Sequence, residues 1–153
     1  MLCDAIADSP FTRKKMIRTY SELITLPTFE ERFAYLKLNG SVGVSTFGHD
    51  RYLNQKFYWS REWRTFRDHI IVRDHGCDLA ILDRPIFELI TVHHINPIFP
   101  DDIINNVERV LDPENVISTT DLTHRALHYG DESILPSRQF TERFPNDTAP
   151  WRA

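Results

Sequence analysis

Cysteine is scarce: 153 residues hold two, Cys3 and Cys77. Two cannot build a disulfide framework, and neither stands in a C-x-x-C pair, so a four-cysteine zinc site is excluded. Long apolar runs are missing as well, and nothing approaches the ~20 residues a membrane-spanning helix needs. The first residues carry Asp4 and Asp8 and lack a continuous apolar stretch, so they do not read as a secretory signal. An excess of positive charge is also lacking. The formal net charge of −4 argues against indiscriminate coating of nucleic acid, although binding faces are local and whole-chain charge discriminates weakly. No repeat or low-complexity block is visible. What is present is ordinary globular usage, with 41% apolar and 26% charged residues. The expectation is a soluble, cytoplasmic chain of about one domain with small appendages and no membrane partner.

Residues 1–15 read as a flexible leader, broken at Ser9-Pro10 and ending in the solvated cluster Arg13-Lys14-Lys15. A more regular pattern begins at Met16, which leaves room for a second start site. Residues 16–50 read as an N-terminal helical extension. Thr28-Phe29-Glu30-Glu31 has the spacing of a capping box, and Phe29, Phe33 and Leu36 recur at helical intervals, which predicts a helix over about 28–38. Ser60 opens a second helix with Trp63, Phe66 and Ile70 as its buried stripe and Gly76 as its stop. From Arg51 to His75 six Lys or Arg face three acids, interleaved with aromatics. That is either a solvated face over an aromatic core or a phosphate-facing stripe. Residues 78–82 and 86–93, separated by Asp83-Arg84-Pro85, read as a β-hairpin. A short helix over about 103–110 and a last helix over about 120–129, stopped by Gly130, complete an α+β pattern. Residues 136–153 read as an irregular tail that wraps the surface.

The chain has seven histidines, and four of them fall between positions 93 and 128. His124 and His128 are four apart, so on a helix they share one face one turn apart and can reach one metal ion. Alone, that spacing is a weak signal, because such pairs are mostly surface residues. His93 and His94 are neighbours on a predicted strand and point to opposite sides. One of them can therefore join the helix pair on a metal while the other faces elsewhere. The two pairs together, linked by a Pro-rich loop and Asn115, are much less expected by accident.

Val92-His93-His94-Ile95-Asn96-Pro97-Ile98, then Asp112-Pro113-Glu114-Asn115-Val116-Ile117, then Thr123-His124-Arg125-Ala126-Leu127-His128, resembles the motif of the HNH endonucleases. The run from Phe57 to Arg64, continuing over 72–79, resembles the segment that precedes the hairpin in bacteriophage members. The resemblance covers roughly residues 50–131. It implies a small ββα-metal core, a β-hairpin and a helix around one divalent ion, and an HNH nuclease domain over 51–135. It also implies roles: His93, His124 and His128 as metal ligands, His94 as general base, and Asn115 as the residue that supports the loop and orients that base. Many members carry two C-x-x-C knuckles around a structural zinc. Here Cys77 faces Ala80 at the partner position, and Thr120 and Thr123 stand where the second pair would be, so no structural zinc is expected.

The function so implied is metal-dependent hydrolysis of DNA phosphodiesters, by nicking or double-strand cleavage. Double-stranded DNA is the expected partner, and phage packaging or processing beside a terminase the expected setting. Lys56, Arg61, Arg64 and Arg67 are candidates for duplex-backbone contacts, though a solvated helix face is the more ordinary reading of each; Arg84 and Arg125 are candidates for the scissile phosphate, and ordinary surface charge explains those two about equally well. Imidazole suits Zn, Ni or Mn better than Mg, but a Mg-dependent site is also compatible with the motif. The alternative is a non-catalytic, metal-stabilised DNA-binding or packaging module, which would need the ligands but no base.

Overall fold

The computed structural model describes residues 17–38 and 51–136. The expected leader over 1–15 and nearly all of the expected tail lie outside the described residues. Helices and two small antiparallel sheets make an α+β chain. Helices α1 (Tyr20–Leu23) and α2 (Phe29–Leu36) come first. The capping box that starts α2 is present: Glu31 N–H donates to Thr28 Oγ1 at 3.2 Å, and Thr28 N–H donates to the Glu31 carboxylate at 3.2 Å. Helix α3 (Arg51–Tyr58) has no counterpart in the sequence reading, which opens its helix only at Ser60. Helix α4 (Arg61–Arg73) starts where Ser60 Oγ accepts from Trp63 N–H at 3.1 Å. Gly76 closes the following turn at φ +64, a backbone region that favours glycine.

The expected hairpin is replaced by a different pairing. Strand β1 (Cys77–Asp78) pairs with β2 (Arg84–Pro85) in a two-residue ribbon. The histidine strand β3 (Thr91–His94) pairs instead with β4 (Val116–Thr119), with His93 opposite Ile117 and His94 opposite Val116. The 21 residues between the strands fold back as α5 (Pro100–Asn105) and α6 (Val107–Val110). The predicted helix over 103–110 is thus two pieces, broken at Asn106, where φ −134 and ψ 42 leave helical geometry. Helix α7 (Asp121–Tyr129) follows β4 directly, capped by Thr120 and terminated by Gly130 at φ +66.

Alternation along β3 and β4 divides the hairpin into two faces. His94 stacks on Trp63 of α4, with ring centroids 5.6 Å apart. His93 and Ile117 point the other way, toward α7. The core on that side joins Leu23, Phe33 and Leu36 to Leu79, Ile95, Ile117, Ala126 and Leu127. Each large side chain buried there contributes roughly 1.5–3 kcal/mol, so α1 and α2 help to hold the hairpin. Arg32, itself buried, extends the tie by donating to the Leu79 carbonyl.

Two buried aspartates fix the path from β4 into α7. Asp74 accepts from Ser118 N–H at 2.7 Å and pairs with Arg73, whose guanidinium also donates to the Val116 carbonyl and lies over the Tyr20 ring. Asp78 accepts from Ala80 N–H and from Thr120 N–H, at 3.1 and 3.0 Å. Thr120 Oγ1 in turn bonds Thr123 Oγ1 at 2.9 Å. Of the positions compared above with zinc knuckles, Thr120 and Thr123 are thus hydrogen-bonded to each other and tied to Asp78, and Ala80 lies in the core. No helix among the described residues is long and apolar enough to cross a membrane.

Candidate metal centre

His93 leaves β3 on the face that meets α7, and His124 and His128 leave α7 one turn apart on the side that meets β3. The three rings converge. The His93 centroid lies 5.2 Å from those of His124 and His128, which are 4.4 Å from each other. One nitrogen from each ring falls within 4.8 Å of the others, and His124 Nε2 and His128 Nε2 are 3.0 Å apart. Two nitrogens bound tetrahedrally to one ion at ~2.1 Å would stand about 3.4 Å apart, so little movement is needed for sharing. Among the described residues this is the one group of His, Cys, Asp or Glu close enough for that.

The strongest sign that the group fits a cation is His93 itself. It is 1% exposed, and neither ring nitrogen has a hydrogen-bond partner among the described residues. A buried polar group left unpaired costs roughly 1–3 kcal/mol, and an ion is one of the few things that would complete such a site. The chemistry of the donors agrees. Burial pushes His93 well below the usual imidazole value, helped by the neighbouring His124 and His128. Burial and His128 push His124 down to about 4, and burial also lowers His128. Each shift favours the neutral ring, the form in which imidazole binds a metal.

These shifts set a pH dependence. His124 falls from about 6.5 in the unfolded chain to about 4 in the folded one, and His93 and His128 fall in the same direction, so over that range the unfolded chain takes up protons that the folded chain refuses. Metal-free stability is therefore full above about pH 6.5 and is lost as pH falls toward 4. Urea midpoints in EDTA are expected to drop from pH 7.5 to pH 5, and a flat or rising midpoint contradicts the assignment.

His94 stands apart from the trio. Its Nε2 lies 3.0 Å from the Val110 carbonyl, which can only accept, so Nε2 carries the proton and Nδ1 the lone pair. Burial pushes it down to about 4, so it is an unprotonated base at neutral pH. Asn115 is buried, and its side-chain hydrogen bonds among the described residues go elsewhere than to His94. Its Oδ1 accepts from the Asn96 backbone and side-chain N–H groups at 3.1 and 2.7 Å, and its Nδ2 donates to the Arg109 carbonyl. The resemblance gave Asn115 the task of orienting the base, but the partner that fixes the His94 tautomer is the Val110 backbone carbonyl.

The six basic candidates are spread over several elements. Lys56, Arg61 and Arg64 are exposed along α3 and α4, Arg84 is exposed on the β1–β2 ribbon, and Arg125 is exposed on α7 beside the histidine pair. Arg67 differs: it is half-buried and donates to the Ile90 carbonyl at 2.9 Å, so part of its guanidinium holds the entry to β3. Sequence reasoning passed over Asn96, which is buried and ties Asn115 to the backbone of Arg18. Asp102 caps α5 by accepting from Phe99 N–H, and it is buried and ion-paired with Arg109 at 3.1 Å. Comparison of the chain with protein-family models, with curated proteins and with solved structures finds no match to any of them.

Proposed function

We propose that this chain is a metal-dependent endonuclease of the HNH type that hydrolyses phosphodiesters in double-stranded DNA. The observation that carries the reading is the division of labour across one strand. His93 joins the α7 histidines in a trio suited to an ion, while the adjacent His94 faces away with a free lone pair. A purely structural metal site has no use for such a base.

His93, His124 and His128 would hold the ion. Bound there, a divalent cation would stabilise negative charge on the phosphate and on the leaving oxygen. The protein residues supply the rest. His94 accepts a proton from water at Nδ1, its ring held flat against Trp63 and its Nε2–H anchored on Val110. Asn115 ties the segment after β3 to the residue before Val110. Exposed Arg125 and Arg84, with Lys56, Arg61 and Arg64, are suited to phosphate contacts. A place in the cytoplasm, and in phage DNA packaging or processing beside a terminase, fits this chemistry.

The test is a supercoiled-plasmid assay of the full chain with EDTA, Mg, Mn, Ni and Zn. Relaxation or linearisation with at least one metal, abolished by EDTA, is expected. Retardation of the plasmid without cleavage under every metal would replace the nuclease with a DNA-binding module.

A further inference from the structure

The pairing of β3 with β4 leaves the segment between them with one conspicuous product, the carbonyl that faces His94. Val110 is the last residue of α6, and the last carbonyls of a helix have no partner inside it. The Val110 carbonyl is therefore free to accept from His94 Nε2. A helix of four residues is too short to hold its own position. Its placement must come from outside.

Arg109, one residue earlier, supplies that placement from two ends. Its side chain bonds the buried Asp102 carboxylate at 3.1 and 3.4 Å and the Pro97 carbonyl at 3.3 Å. Its own carbonyl accepts from Asn115 Nδ2 at 3.1 Å. Asp102 is fixed in turn, because its other contact caps Phe99 N–H at the start of α5. The Leu111 N–H, in the same peptide plane as the Val110 carbonyl, donates to the Val107 carbonyl at 2.9 Å. Asp102 and Arg109 thus brace α5 against α6 and against the chain that leaves His94.

We infer that Asp102 and Arg109 are positioning residues that aim the Val110 carbonyl at His94 and so fix which ring nitrogen carries its proton. This rests on the reading of His94 as the base, and it deepens that reading: the bond on one imidazole nitrogen decides what the other can do. Without the brace, Nδ1 of His94 would carry the proton part of the time and could not accept one from water.

Nitrogen-15 correlation spectra of the histidine rings read the tautomer directly, in the full chain without DNA, both in EDTA and with zinc. Wild type is expected to show His94 in the Nε2–H form alone, its signal identified by its absence from His94→Gln. In Arg109→Leu the Nδ1–H form appears, while zinc affinity stays within about twofold. Plasmid cleavage by the same variant falls roughly 10–100-fold in kcat with KM for DNA unchanged, the scale seen when an outer hydrogen-bond partner is removed. A folded Arg109→Leu that keeps the Nε2–H form alone overturns the inference, and so does loss of zinc binding together with the tautomer. If Arg109→Leu does not fold, Asp102→Asn, which changes charge and almost no volume, decides by the same spectrum. A wild-type chain that cleaves nothing counts against the nuclease reading, whereas the tautomer answers for the brace alone.

Discussion

His94→Ala is expected to lose at least ~10²–10⁴-fold in cleavage rate, the usual contribution of a positioned general base, and to keep its metal. Among the described residues the ring hydrogen-bonds Val110 and stacks on Trp63, and it is not among the three that converge on the far face of the hairpin. Removing it leaves the Val110 carbonyl unpaired, which costs on the order of 1–3 kcal/mol in stability. Rates must therefore be compared at equal folded fraction, and metal content measured on the same sample. Normal cleavage by folded His94→Ala would remove it from the chemistry. Loss of cleavage together with the metal would make it a ligand or a structural residue instead.

The opposite pattern is expected of His93→Ala. His93 is the one ligand candidate on the strand, and its ring nitrogens have no other partner among the described residues. An ion bound only by the folded state stabilises by about 4 kcal/mol at a thousandfold excess over Kd. For a chain of this size that is roughly 10 °C or more in Tm. Wild type should show such a rise on adding zinc, and His93→Ala should lose nearly all of it along with cleavage. A variant that keeps the full rise would place the ion elsewhere.

The local parts of this structure were legible because their signals are local. The capping box at Thr28, the start at Ser60 and the stop at Gly130 each act within one turn, and each stands where the spacing places it. The His124–His128 pair and the opposed faces of His93 and His94 follow from helix and strand periodicity alone. The partner of β3 was not legible that way. Pairing with a nearby run looks natural in sequence, whereas the real partner lies beyond two short helices. The run Val116-Ile117-Ser118-Thr119, three of its four residues β-branched, is the available signal, and four residues before a helix cap make a weak one. Asp74, Asp78 and Asp102 were illegible for another reason. Carboxylates read as solvated until the backbone N–H groups that bury them are placed, and those come from residues 44, 42 and 3 positions away.

The most direct test of the account is X-ray absorption on the zinc-loaded full chain, which counts imidazoles around the ion. Three imidazoles are expected in wild type, three in His94→Ala, and two in His128→Ala. A wild-type ion with fewer than two imidazoles, or an imidazole count that falls in His94→Ala and not in His128→Ala, would contradict it.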